Sequence, residues 1–145
     1  MEKIEKLKKI LKREGLDGYI IPKNDEFFGE YIPDHNDRLN FISSFSGSYG
    51  LALILKDKNY LFVDGRYTLQ ANNQSKTNFK VITIPDKMPS DILRGRKLLI
   101  GFDPNLFTKK SLSIFFGKSE CKYKPILKNL IDEIWKRKIK IKESK

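Results

Sequence analysis

The run Leu51-Ala-Leu-Ile-Leu55 constrains this chain more than any other segment. Five apolar residues in succession put apolar side chains on both faces of a strand, so both faces must be covered. Asp57–Asn59 then reads as a turn, and Tyr60-Leu-Phe-Val63 is a second apolar run at hairpin distance. Leu98–Ile100 has the same two-sided character. These runs suggest a sheet covered on both faces, with helices expected on both sides.

The remaining segments supply them. Ile4, Leu7, Ile10 and Leu11 form a stripe at helical spacing over Lys3–Glu14, with Gly15 as its stop. A short strand, Tyr19–Ile21, ends at Pro22. Asp34 or Asp37 caps a short helix over Arg38–Ser43. Phe45–Gly50 is a glycine-containing turn. Asp64 caps a helix that starts near Arg66–Tyr67, runs to about Ser75, and buries Tyr67, Leu69 or Gln70, and Ala71. Phe79–Ile84 is a β-branched strand. Pro89 opens a short helix over Ser90–Arg94. Lys97–Gly101 is a strand, Thr108 caps a helix through Phe116, Ser119–Lys124 is a last strand, and Asn129–Trp135 is a turn or two of helix. The sum is an α/β fold with a mixed sheet of five or six strands flanked by helices.

A chain of 145 residues suits one domain. Its longest apolar runs fall well short of a bilayer span, and Met1–Arg13 is too charged for a signal peptide. The lone Cys121 allows no internal disulfide. These features give the expectation of a cytoplasmic protein with no membrane association. The lone His35 excludes a zinc site built on two or three histidines. The net charge of +11 is concentrated at the two ends of the chain. If those ends meet in space, they make a basic surface for nucleic acid, whose binding would be salt dependent. The shortage of arginine, six of 29 basic residues, argues against base reading.

Most chemical motifs fail on spacing. Phe45-Ser-Gly-Ser-Tyr-Gly50 lacks the phosphate-loop pattern and precedes a strand. The carboxylates Asp25, Glu26, Asp34, Asp37, Asp57, Asp103, Asp132 and Glu133 read as solvated groups. Cys121 has basic neighbours but no nearby base. Arg38 and His35 read as surface groups. The segment Asp64-Gly65-Arg66-Tyr67 is more informative, because it lies where a strand ends and a helix starts. Arg66 there is either a salt-bridge partner locking the corner or a cation presented at an edge.

Taken in order, Tyr19-Ile-Ile-Pro22, Glu30-Tyr-Ile-Pro33, Arg38, Phe45-Ser-Gly-Ser-Tyr-Gly50 and Val63-Asp-Gly-Arg-Tyr-Thr-Leu-Gln-Ala71 resemble the N-terminal domain of Xaa-Pro aminopeptidases of the aminopeptidase P type. Ile100-Gly-Phe-Asp-Pro104 and Asn129-Leu-Ile-Asp-Glu-Ile-Trp135 extend the resemblance to nearly the whole chain. It implies a creatinase/prolidase-type N-terminal domain over residues 1–136, with a basic tail at 137–145. In that family a second domain and a catalytic domain of the pita-bread fold follow. There two metal ions, usually manganese, are held by two Asp, two Glu and one His.

The resemblance therefore implies a non-catalytic domain that contributes to assembly and to the substrate entrance, and is inactive alone. No catalytic, cofactor or metal residue is expected in this chain. Arg38, Asp64, Arg66 and Tyr67 are expected to face a cleft or form a corner. Ile126, Leu127, Ile131 and Trp135 are expected as an exposed apolar junction with the next domain. The expected partner is a separately encoded catalytic part or a second copy. The alternatives are a basic nucleic-acid or protein interaction module reusing the fold, and a remnant of a shortened gene.

Overall fold

The computed structural model describes residues 2–23, 37–47, 49–75, 78–84, 86–117 and 119–135. The amphipathic stripe near the start forms α1 (Glu2–Glu14) and buries Ile4, Leu7 and Leu11. Gly15 ends it with φ +73°, a left-handed conformation that glycine adopts without a Cβ penalty. The chain then enters β1 (Gly18–Pro22), which is buried along its whole length. A Cβ on Gly18 would stand 2.9 Å from the carbonyl oxygen of Ile54, so β1 and β2 approach each other as only glycine permits here.

Six strands form one sheet in the order β4-β3-β2-β1-β5-β6. They are β1, β2 (Gly50–Leu55), β3 (Asn59–Asp64), β4 (Lys80–Ile84), β5 (Leu99–Phe102) and β6 (Lys122–Pro125). β2 pairs antiparallel with β1 and β3, while β3–β4, β1–β5 and β5–β6 are parallel. Five strands thus run one way and β2 alone opposes them. The hairpin expected from the two apolar runs is β2–β3, with Leu53 opposite Tyr60 and the turn closed by Leu55 N donating to Lys58 O at 2.9 Å.

Alternation along β2 builds a core on each face. Ala52 and Ile54 join Tyr19, Ile21, Leu61 and Val63 beneath α1, α2 (Arg38–Ser43), α3 (Thr68–Ser75) and α6 (Leu130–Ile134). Leu51, Leu53 and Leu55 join Phe62, Ile100 and Phe116 on the other face, beside α4 (Pro89–Ile92) and α5 (Lys109–Phe116). The two-sided burial read from Leu51–Leu55 is what the sheet shows.

Several boundaries differ from the sequence reading. After Asp64 the chain makes one 3₁₀ turn, Gly65–Tyr67, before α3 begins. Leu69, offered as a buried position, is 75% exposed; Ala71 and Ser75 take the buried face of α3. The last strand is Lys122–Pro125 and starts later than expected, where its pairing with Leu99–Phe102 of β5 begins. Asp37 caps α2, its Oδ1 accepting from Asn40 N at 3.1 Å. Asp34, His35 and the tail at 137–145 lie outside the described residues. Cys121 is buried, and its thiol donates to Arg96 O at 3.2 Å. Among the described residues no helix is long and apolar enough to cross a membrane.

Candidate functional site

The carboxyl ends of β1, β3, β4, β5 and β6 share one edge of the sheet, the edge at which open α/β sheets carry their ligands. β3 ends there at Asp64. Its Oδ1 accepts from Arg66 N at 2.9 Å and from Arg66 Nε at 3.2 Å. The first bond caps the 3₁₀ turn, and the second folds the guanidinium back onto the carboxylate. The Arg66 backbone N–H, then its side chain, hold the Asp64 carboxyl below its ordinary value, and Asp64 in turn raises Arg66. The guanidinium carbon lies 5.3 Å from the Tyr67 ring centroid, a cation–π contact. Tyr67 meets Phe45 edge-on at 6.0 Å, which ties the corner to the core.

The pairing with Asp64 matches the corner-locking reading of Arg66. It is locked to Asp64, and at 74% side-chain exposure it is presented outward. Neighbouring groups were not legible in the sequence. Ser46 N donates to Gln74 Oε1 at 2.9 Å, and Gln70 Nε2 and Gln74 Nε2 both donate to Ser46 Oγ, at 3.1 and 2.9 Å. These bonds fix the loop before β2 against α3. The one signal was the four-residue spacing of Gln70 and Gln74, which puts them on one helix face. Tyr49 is exposed beside this corner, and partial burial, then the charge of Asp64, push its phenol up.

Arg38 is elsewhere, and its reading as a surface group is corrected. It is 3% exposed and grips Asp132 through Nε–Oδ1 at 2.9 Å and Nη2–Oδ2 at 3.1 Å. This two-point pairing joins α2 to α6. Lys23 pairs with Asp37 at the start of α2. Phe41 of α2 stacks on Trp135 at 4.8 Å and 18°, and Lys3 lies 4.4 Å over the Phe41 ring. Asn129 caps α6 and donates to Asp103 Oδ2 at 2.8 Å, while Leu130 N donates to Tyr19 Oη at 3.2 Å. Burial pushes the Tyr19 phenol well above its ordinary value.

The proposed junction residues separate. Leu127 is 84% exposed, Ile126 and Trp135 are partly buried, and Ile131 is fully buried on the inner face of α6. Ile131 is therefore a core residue and no part of an exposed surface. The first and last described elements do meet, through Arg13 and Glu133 at 3.1 Å. That contact sets an acidic residue of α6 against the basic helix α1.

A paired-metal centre needs several carboxylate or imidazole donors converging on one point. Among the described residues no three His, Cys, Asp or Glu side chains gather in that way. Asp64, Asp103 and Asp132 each accept from a different partner. The described donor set does not fit such a centre.

The family model described as the creatinase/prolidase N-terminal domain matches residues 3–126. Aminopeptidase P1 of Lotus japonicus is 37% identical over 127 residues, covering 83% of this chain and 19% of that protein. The crystal structure of an X-prolyl aminopeptidase from Caenorhabditis elegans, described as a cytosolic enzyme with a di-nuclear active site, superposes with a TM-score of 0.81 at 31% identity. It covers 92% of this chain and 25% of that one. The N-terminal domain of the cytoplasmic peptidase PepQ from Mycobacterium tuberculosis matches with a TM-score of 0.70 at 20% identity, covering 92% of this chain and 98% of that one. The chain spans about a fifth of the length of the curated relatives it matches.

Proposed function

Because the chain belongs to the creatinase/prolidase N-terminal domain family, we propose that it serves as the non-catalytic N-terminal domain of an Xaa-Pro aminopeptidase-like metallopeptidase. The observation that carries this reading is the extent of the match. The family model takes in residues 3–126, and curated relatives named for cleavage next to proline extend over a length of which this chain covers 19–23%. The chemistry belongs to the remaining four fifths.

In this reading the domain contributes to assembly and to the substrate entrance of a cytoplasmic enzyme. Arg66, with its guanidinium held by Asp64 and Tyr67, is a fixed cation at the edge of that entrance. Leu127, with Ile126 and Trp135 beside it, is the apolar contact to the next domain, whether that domain is joined in one chain or supplied in trans. Arg38 acts by positioning, since it holds α6 and hence Trp135. Manganese belongs to the catalytic part, and no chemical step is assigned to this chain through it.

The test is a pair of assays on the purified 145-residue chain. With manganese and a proline-containing peptide the chain alone is expected to show no hydrolysis. Added to the separately expressed remainder of a related Xaa-Pro aminopeptidase, it is expected to raise turnover, and Arg66→Ala to weaken that gain. Metal-dependent turnover by the chain alone that survives repurification, or no effect on the remainder, overturns the reading.

A further inference from the structure

At one end of the sheet stands β4, paired with β3 and, among the described residues, with no strand on its outer side. We propose that a second copy of this chain pairs there, β4 against β4, antiparallel and centred on Ile82.

The backbone of β4 shows which groups are open. Leu55 N donates to Lys58 O at 2.9 Å, so these two form a hydrogen-bonded pair of the β2–β3 hairpin. By alternation Leu53–Tyr60 and Leu51–Phe62 are bonded pairs as well, and the even positions of β3 turn their backbone groups to β2. Leu61 and Val63 therefore turn theirs to β4, where they stand opposite Val81 and Thr83. A parallel ladder bonds each of them to the residues flanking its partner, which are Lys80, Ile82 and Ile84. Val81 and Thr83 are left pointing outward. The Thr83 carbonyl agrees, since it accepts from Lys87 N at 3.2 Å outside the ladder. The Val81 N–H and C=O and the Thr83 N–H have no backbone partner among the described residues.

This edge also lacks the guards that the other edge carries. In β6, Lys122, Lys124 and Pro125 are exposed, and lysines and prolines are the residues that deter edge-to-edge pairing. β4 reads Lys80-Val-Ile-Thr-Ile84, without proline and with its one charge at the start. Val81 and Ile84 are only partly buried, so apolar surface remains beside the open backbone groups.

The occupant follows from self-complementarity. With a two-fold axis at Ile82, Val81 of each copy lies opposite Thr83 of the other, and each such pair exchanges both its N–H···O bonds. The Thr83 oxygen keeps a second lone pair for its share. Ile82 then meets Ile82, and Lys80 meets Ile84. A parallel pairing would instead set Lys80 beside Lys80. Past Ile84 come Asp86 and Lys87, whose charges cancel, so Lys80 meets no like-charged end. The net charge of +11 opposes association at long range, and salt of about 0.1 M screens it to roughly 10 Å.

Sedimentation velocity of the full chain at moderate salt is expected to show a monomer–dimer equilibrium. Amide exchange of the parent chain should show Val81 and Thr83 gaining protection as its concentration rises. Ile84→Glu and Ile84→Lys remove the same side chain but put opposite charges against Lys80 of the other copy. The first should tighten the dimer about threefold and the second weaken it about threefold, and adding Lys80→Glu to Ile84→Lys should restore it. Ile114→Glu and Ile114→Lys make the same changes of net charge at an exposed position of α5 and should not differ.

A chain that stays monomeric, or a dimer in which the Val81 and Thr83 amides exchange as in the monomer, overturns the proposal. So do equal responses of the two Ile84 variants, or a difference between the Ile114 variants as large as theirs. The exchange measurement uses the parent chain, so it decides the matter even where a variant fails to fold. None of these readouts involves peptide hydrolysis, and the outcome is independent of the peptidase role proposed above.

Discussion

Arg38 and Asp132, 94 residues apart in the chain, lie in a two-point ion pair with contacts of 2.9 and 3.1 Å. The guanidinium is 3% exposed and the carboxylate 33%. Removing one partner of such a pair leaves a charge without compensation. Arg38→Ala is expected to destabilise the chain by about 2–4 kcal/mol, discounted from the fully buried case for the exposure of Asp132. Arg38→Lys keeps the charge but loses the fork, and should recover only part of that. Urea denaturation checks this, and an Arg38→Ala loss below about 0.5 kcal/mol would show that the pair does not hold α6.

Deleting residues 129–145 removes the whole of α6. Leu130 and Ile131 are 1% exposed or less, so about 3–6 kcal/mol of apolar burial goes with them. The truncated chain is expected to lose cooperative unfolding, although the family match already ends at residue 126. In the intact chain, Trp135 is the sole tryptophan and stacks on Phe41, so its fluorescence should report undocking of this segment. A truncated chain as stable as the parent would show that the segment is dispensable.

The hairpin, α1 and the Asp64 corner were legible because each is written in consecutive residues: two apolar runs, one helical stripe, one capping carboxylate. The pair Arg38–Asp132 was not, since nothing local to either residue says where the other falls. Ile131 was misplaced for the same reason. Its place late in the sequence suggests an exposed end, but α6 folds back onto Tyr19 in the first strand. Leu69 failed differently. An apolar residue at helical spacing suggests burial, but the inward face of α3 is the one that carries Ala71 and Ser75, and Leu69 lies on the other side of the helix.

Gly18→Ala should cost about 1–3 kcal/mol, because its Cβ meets the fixed Ile54 carbonyl at 2.9 Å and Leu55 Cδ2 at 2.6 Å. Gly65→Ala is the contrast. Its nearest neighbour would be Thr83 Cγ2 at 3.7 Å, and a change within about 0.5 kcal/mol is expected. Thermal or urea unfolding of the two variants checks the difference, and equal losses would contradict the close approach of β1 to β2.

Asp64→Asn keeps a cap acceptor and removes the charge. The folded-state pKa of Asp64 lies below its ordinary value of 3.8, through the Arg66 backbone N–H first and its side chain second. The stabilisation from that charge is therefore complete above pH 3.8 and is lost as pH falls through the lower folded-state value. The variant should melt below the parent at neutral pH, and the gap should close in strong acid. Carboxyl NMR titration reads the shift directly; a midpoint at or above 3.8 would contradict the corner geometry.

Tyr123 bonds to Ser119 and is pushed up to about 12, chiefly by burial. A raised folded-state pKa means stability that is complete below the unfolded value of 10.0 and is lost as pH rises towards 12. Tyr19 adds to the same loss, its phenol being raised by burial as well. Ultraviolet absorbance of the phenolates should show delayed titration, and Tyr123→Phe should remove part of the alkaline loss. Titration of Tyr123 at its ordinary value would show that its ring is solvated.

The bond from Leu130 to the Tyr19 hydroxyl spans 111 residues, and β1 borrows its two neighbours from segments made at very different times. On the ribosome, β1, β2 and β3 can emerge and zip together early, yet the face of the sheet beneath α6 stays wet until α6 leaves the exit tunnel. Nascent chains of this protein should therefore hold chaperones until α6 has been made and has docked.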